Sequence, residues 1–198
     1  MAGSYQTGGR VPKKTVGILA LQGDFEAHRK AVERAGGEAI EVRAAADLES
    51  CGGLIIPGGE STTMLKLLDE EQLNGPIRTF ARTKPVYGSC AGAILLAHEV
   101  MHPPQASLDL LDIAVERNAY GRQLDSRIVH LDTNLGGMEA VFIRAPIIRR
   151  AGAAVTVLAS YQGYPVWVEQ GRHMVTTFHP ELTDDPRVHA RFLSKVSQ

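Results

Sequence analysis

Apolar residues in the first half of the chain fall into short unbroken runs, separated by stretches with a helical repeat. Thr15 to Leu21 reads as a buried strand and Phe25 to Ala35 as an amphipathic helix closed by Gly36-Gly37. Glu38 to Val42 and Leu54 to Ile56 are further strands. Helices are expected from about Thr62 to Glu71 and from Pro76 to Arg82, followed by a strand at Pro85 and a helix-like run from Ala91 to Val100. Strand and helix in alternation imply a mostly parallel sheet with helices on both faces. From Ile113 to about Thr177 the texture changes to short β-like runs broken by turns such as Gly136-Gly137 and Gln162-Gly163, which suggests an antiparallel addition. Asp185 can cap a last helix with Pro186 at its first position.

No internal repeat, low-complexity tract or linker divides the chain, so residues 15–198 are expected to form one domain. Met1 to Lys14 is polar and contains glycine; no core strand needs it, and it reads as an N-terminal extension or a remnant of cloning. The 198 residues, 44% of them hydrophobic, suffice for one sizeable core. With 21 basic and 22 acidic residues the net charge is −1, which leaves no electrostatic footprint for nucleic acid or an anionic membrane. Two cysteines do not make a disulfide framework, and a reducing cytoplasm is the expected home. The N-terminus has no apolar signal-peptide core, and no run approaches the ~18 apolar residues of a spanning helix.

Three segments carry candidate chemistry. In Gly88-Ser89-Cys90-Ala91-Gly92 a cysteine sits between a strand and a helix, with glycine two positions away on either side. A nucleophile elbow is built this way, small residues permitting the sharp turn. A thiol there faces unpaired backbone N–H groups and the positive end of the helix dipole, which favour the thiolate. In Val175-Thr-Thr-Phe-His179-Pro180-Glu181 a β-branched run stops at a proline, which places His179 at the C-terminal tip of a strand, where parallel sheets build their sites. Glu181 stands close enough to hold the second imidazole nitrogen, giving nucleophile, base and orienter. Most of the other six histidines, His28, His98, His102, His130, His173 and His189, read as solvated or core side chains. In Leu54-Ile-Ile-Pro57-Gly58-Gly59-Glu60-Ser61-Thr62-Thr63 the adjacent glycines can present N–H groups to a developing oxyanion, and Ser61 or Thr62 can cap the next helix. A tight turn with an ordinary cap would look the same.

On these segments the chain resembles the class I glutamine amidotransferases, and among them the glutaminase subunits of pyridoxal 5′-phosphate synthases. The likeness runs from about Thr15 to the C-terminus, through Gly17-Ile-Leu-Ala-Leu-Gln-Gly23, Pro57-Gly-Gly-Glu-Ser-Thr-Thr-Met64, Gly88-Ser-Cys-Ala-Gly92, Val115-Glu-Arg-Asn-Ala-Tyr-Gly-Arg-Gln123, Phe142-Ile-Arg-Ala-Pro146 and Phe178-His-Pro-Glu-Leu182. It implies an α/β fold: a three-layer, flavodoxin-like sandwich with a mostly parallel central sheet and a small antiparallel addition. It further implies that Cys90 attacks the side-chain amide of L-glutamine, that His179 shuttles the proton and that Glu181 orients the ring. Gly59, Glu60, Ser61, Arg117, Ile143 and Arg144 would bind glutamine, and the Gly58-Gly59 loop and Ala91 would form the oxyanion hole. Gln22, otherwise an ordinary loop residue, would border the partner. That partner would be a synthase subunit of (β/α)8 type, which takes the ammonia to pyridoxal 5′-phosphate. The α-carboxylate of a free amino acid suits a guanidinium, with the choice of arginine left open. Residues 98–108 match poorly, and Ser89 replaces a commoner threonine.

The chemistry so implied is hydrolysis through a γ-glutamyl thioester, with no metal or organic cofactor. Cys-x-x-Cys and His-Glu-x-x-His clusters are absent from the sequence. Two other classes fit the elbow: a cysteine hydrolase or deglycase of the related flavodoxin-like superfamily, and a non-catalytic regulatory partner of the synthase. The first would not need a pocket with arginines such as Arg117 and Arg144, and the second would not need Cys90, His179 and Glu181 together.

Overall fold

Alternation of side chains along each strand decides which layer of the molecule a residue joins. The computed structural model describes residues 13–117 and 126–197, so the expected extension lies almost wholly outside it, as does Asn118–Gln123 of the Glu-Arg-Asn segment. In chain order the first strands are β1 (Thr15–Leu19), β2 (Glu38–Val42), β3 (Gly53–Ile56) and β4 (Val86–Ser89), with helices α1 (Phe25–Arg34), α2 (Ser61–Glu70) and α3 (Asn74–Ala81) between them. After β4 come α4 (Ala91–Leu96), β5 (Ala97–Met101), β6 (Leu111–Glu116), β7 (Ser126–Leu131), β8 (Met138–Ile143) and β9 (Ile147–Ala151). The chain closes with β10 (Thr156–Tyr161), β11 (Tyr164–Gln170), β12 (His173–Thr176) and α5 (Arg187–Lys195).

The main sheet has seven strands in the order β10-β11-β12-β4-β3-β1-β2. From β12 to β2 every pairing is parallel, and β10 and β11 extend one edge antiparallel. Leu19, Leu54, Ile56, Val86 and Val175 face one core with α2, α3 and α4. Their neighbours Ile18, Ile55, Tyr87 and Met174 face the other core, with Val32 of α1 and Val188 and Phe192 of α5. Helices therefore cover both faces, as the alternation of elements predicts. Among the described residues no helix is long and apolar enough to cross a membrane.

Two expectations change. The apolar run after Cys90 is not one helix: α4 ends at Leu96, and β5 begins at once, with Ala97 and Val100 buried and His98 and Glu99 exposed. A short apolar run fits a helix or a strand equally, and here pairing with β6 decides for the strand. The antiparallel addition is spread over three places: the β10–β11 edge, the hairpin β7–β8, and a small sheet β5-β6-β9 that itself contains a parallel pair. At the last helix, Asp185 Oδ1 accepts the Arg187 N–H at 3.0 Å, so the expected capping bond is made although the helix is assigned one residue later.

Packing at the elbow is tight enough to test. A Cβ on Gly92 would lie 2.1 Å from the Ile56 carbonyl oxygen, whereas one on Gly75 in α3 meets nothing within 4 Å. Gly92→Ala should cost about 1–3 kcal/mol, the range for overpacking. Gly75→Ala should be neutral or stabilising by about 0.4–1 kcal/mol. Urea unfolding of the two variants measures both, and equal stability would contradict the close approach of α4 to β3.

Candidate active site

Adjacent parallel strands bring distant segments to one end of the sheet. At the C-terminal ends of β1, β3, β4 and β12 stand the Gln22-Gly23 loop, Pro57-Gly58-Gly59, Cys90 and His179. Cys90 follows β4 directly with φ +49°, a left-handed conformation that costs a residue with a Cβ of order 1–3 kcal/mol. The turn is held by the Cys90 N–H, which donates to the Thr176 carbonyl at 2.9 Å. His179 lies just past β12, not in it, and its N–H donates to the Val141 carbonyl of β8 at 2.8 Å.

The His179 ring is pinned by Glu181. A carboxylate only accepts, so Nδ1–H of His179 donates to Glu181 Oε1 at 2.7 Å, which leaves Nε2 as the ring nitrogen without that proton. Burial opposes charge on His179, but the Cys90 sulfur and the Glu181 carboxylate outweigh it and raise its pKa to about 10. For Glu181, burial pushes the carboxyl up, and the field of His28 together with the His179 hydrogen bond reverses that and holds it at about 2. The thiol itself points at the Ile143 carbonyl, 3.8 Å away.

In front of the thiol lies a cleft of about 380 Å³, within the usual span of small-molecule sites of about 300–1,000 Å³. Gln22, Gly58, Gly59, Glu60, Ser61, Cys90, Ala91, Arg117, Ile143, Arg144 and His179 all line it. Glu181 does not; it stands behind the imidazole, away from the cleft. The two glycines are needed for space, since a Cβ on Gly58 would lie 2.5 Å from the His179 ring and one on Gly59 2.4 Å from Gln22 Oε1. Gln22 Oε1 in turn accepts the Glu60 N–H at 2.9 Å, which ties the Gly-Gly loop to the end of β1.

Glu60 has a second task. It caps α2, accepting the N–H groups of Thr62 at 3.1 Å and Thr63 at 2.7 Å, so the helix starts at Ser61 and neither Ser61 nor Thr62 is its cap. A carboxylate at a helix N-terminus meets several donors and the helix dipole. Desolvation pushes its pKa up, but the hydrogen bonds from Thr63 and Thr62 outweigh that and hold it at about 2. Arg117 is only 12% exposed in its side chain; it donates to Thr62 Oγ1 at 3.0 Å and lies 3.7 Å from Glu60, while Arg144 is exposed with φ +44°.

Sequence reasoning missed three features here. Ile94 and Leu182 add apolar wall to the cleft. His28, taken for a core or solvent residue, has its Nε2 3.3 Å from Glu181 Oε2. Ser89, standing where threonine is commoner, meets the same His28 nitrogen at 2.8 Å. Ser89 stands inside the elbow motif beside Cys90, whereas His28, five residues past Gly23, carries no local hint.

The model of the SNO glutamine amidotransferase family matches residues 18–198. The pyridoxal 5′-phosphate synthase subunit PdxT of Solibacter usitatus is 60% identical over 191 residues, covering 92% of this chain and 100% of the relative. PdxT of Koribacter versatilis is 51% identical, covering 91% and 95%. A crystal structure of a glutamine amidotransferase superposes with a TM-score of 0.87 at 48% identity, covering 91% of this chain and 97% of its own. The structure of PurLQS from Thermotoga maritima, at 20% identity and a TM-score of 0.66 over 93% of this chain and 95% of its own, shares the fold.

Proposed function

The chain belongs to the SNO glutamine amidotransferase family, and from that premise we infer that it is the glutamine-hydrolysing subunit of a pyridoxal 5′-phosphate synthase. It converts L-glutamine and water to L-glutamate and ammonia, and the synthase uses the ammonia. One observation supports the chemistry above the others: Cys90, from the elbow, and His179, backed by Glu181, share a cleft whose rim carries Arg117 and the Gly58-Gly59 turn.

In the mechanism that follows, His179 holds a proton and Cys90 attacks the amide carbon as thiolate. The oxyanion is met by the Ala91 N–H at the start of α4 and by an N–H of the Gly-Gly loop. As the tetrahedral species collapses, His179 gives its proton to the departing ammonia, and the γ-glutamyl thioester forms. Water then gives a proton back to His179 while its oxygen attacks the thioester, releasing glutamate and the thiolate. Arg117, anchored by Thr62, is the better placed guanidinium for the α-carboxylate, because a half-fixed cation loses less entropy on binding than exposed Arg144. Ser61 and the Ile143-Arg144 backbone complete the amino-acid end of the cleft. We take residues 15–198 as one catalytic domain, a (β/α)8 subunit as the partner, and the cytoplasm, which suits two free cysteines, as the setting.

The partner offers a test. Gln22 holds the Gly-Gly loop through Glu60, so a surface that docks on Gln22 can set the oxyanion donors. The isolated chain should be nearly silent, and adding the synthase subunit should raise turnover by ~10²–10³-fold, the worth of one oxyanion contact. Alkylation of Cys90 by iodoacetamide should change far less. Gln22→Ala should blunt the activation. Equal turnover by the chain alone and by the mixture would dismiss control by docking.

A further inference from the structure

Behind Glu181 lies a buried polar cluster that the mechanism above does not use. His28 of α1 and His189 of α5 have no exposed surface, and Tyr87 of β4 packs edge-on against both, with ring centroids 6.0 Å apart in each pair. His28 Nδ1 lies 3.0 Å from His189 Nε2. Its Nε2 lies 2.8 Å from Ser89 Oγ, the residue before the nucleophile, and 3.3 Å from Glu181 Oε2. Among the described residues neither Glu181 Oε2 nor His189 Nδ1 has a hydrogen-bond partner, and both atoms are buried.

We propose that His28 is a positioning residue of the glutaminase site: its Nε2–H, donated to Ser89 Oγ, lies 3.3 Å from the second oxygen of Glu181, and this dipole steadies the carboxylate so that the first oxygen stays on His179; the proposal rests on the function inferred above. The tautomers follow from elimination. If His28 carried its proton on Nδ1, it would donate to His189 Nε2, and His189 would bury an orphan Nδ1–H. His28 Nε2 would then accept from the Ser89 hydroxyl and present a lone pair, not an N–H, beside a carboxylate oxygen. Orphan buried N–H groups are rarer and costlier than under-used acceptors. With both protons on Nε2, His189 donates to His28, and His28 donates toward Ser89 Oγ beside Glu181 Oε2. The two atoms then left without a bond, His189 Nδ1 and Glu181 Oε2, are both acceptors, and Oε2 faces the His28 N–H dipole at 3.3 Å. The proton positions are assigned by this argument.

Charge agrees with the assignment. Burial lowers the pKa of His28, and it lowers that of His189 to about 3, so at neutral pH both rings are uncharged. His28 therefore supplies an oriented dipole, and the one ion pair of the cluster stays between Glu181 and His179. The groups acting on His28 are Asp24 on its own approach loop, Ser89 and Tyr87 of β4, His179 and Glu181 past β12, and His189 of α5; Arg34 acts on His189.

The test uses the chain assembled with its synthase subunit. His28→Leu removes the donor, and kcat should fall about ten- to a hundredfold, the scale known for outer-shell partners, with KM changed by less than about twofold. A carboxylate that loses the field of His28 is harder to ionise, so the acid limb of the kcat profile should move to higher pH. His28→Gln returns an amide N–H near the Nε2 position and should recover kcat to within about threefold, with the limb back in place. Unchanged kcat in His28→Leu, or equal loss in a folded His28→Gln, would overturn the proposal. Histidine ring ¹⁵N spectra of the unmutated chain decide independently of turnover and of whether His28→Leu folds. A His28 ring protonated on Nε2 supports the assignment, and one protonated on Nδ1 sinks it. An unmutated complex without glutaminase activity would instead refute the functional reading and leave the ring spectra to judge the contact.

Discussion

Cys90→Ala should abolish glutamine hydrolysis by the assembled enzyme, a fall on the order of 10⁴-fold or more, because removing a nucleophile leaves only residual binding and oxyanion effects. Fold and glutamine binding should survive, since the alanine is smaller and the elbow is held by backbone bonds such as Cys90 N–H to Thr176 O. Cys51 cannot stand in for it. That thiol lies just before β3, at the opposite end of the strands, 1% exposed and donating to the Asp47 carbonyl at 3.3 Å. Burial pushes its pKa up to about 11, so little of it is thiolate at neutral pH. Cys51→Ala should keep nearly full activity. Ammonia release with the synthase present, beside isothermal titration with glutamine, measures both; comparable losses in the two variants, or substantial turnover by Cys90→Ala, would remove Cys90 from the role given to it.

Loss of the base should come next in size. His179→Asn should lower kcat by ~10²–10⁴-fold, the usual worth of general acid–base help. Glu181→Gln should do less at neutral pH and more at alkaline pH. The His179 pKa is raised to about 10 by the Cys90 sulfur and the Glu181 carboxylate against the effect of burial. With the carboxylate gone, burial gains ground, the ring loses its proton at lower pH, and the alkaline limb of kcat should move down. Glutamine KM should change little, since Glu181 does not line the cleft. An alkaline limb that stays in place in Glu181→Gln would refute its hold on the imidazole.

What was legible in the sequence is what a few consecutive residues decide. The elbow at Cys90 needs glycine on the strand side because a Cβ on Gly88 would lie 2.5 Å from the Gly92 backbone across the turn. That requirement is written locally. The His179-Pro180-Glu181 spacing is likewise local, since a carboxylate two residues on reaches Nδ1 without help from the rest of the fold. Period and run length gave the order β then α, and with it the parallel sheet. What the sequence left open depends on which strands become neighbours. Placing β12 beside β4, β4 beside β3 and β3 beside β1 brings four separate segments to one cleft, and no spacing along the chain encodes that order. The run after Cys90 was ambiguous because only pairing with β6 makes Ala97–Met101 a strand. Glu60 became a helix cap because the chain turns at Gly58-Gly59 and points two N–H groups at its carboxylate. His28 and His189 sit on amphipathic helices where a buried histidine looks like any core residue. Only the packing of α1 and α5 against one face of the sheet, 161 positions apart in sequence, sets one ring against the other and both behind Glu181. Local turns are encoded by steric needs that neighbouring residues reveal. Contacts between elements come from burial, which fixes that a face is covered and leaves to the tertiary structure which polar groups meet beneath it.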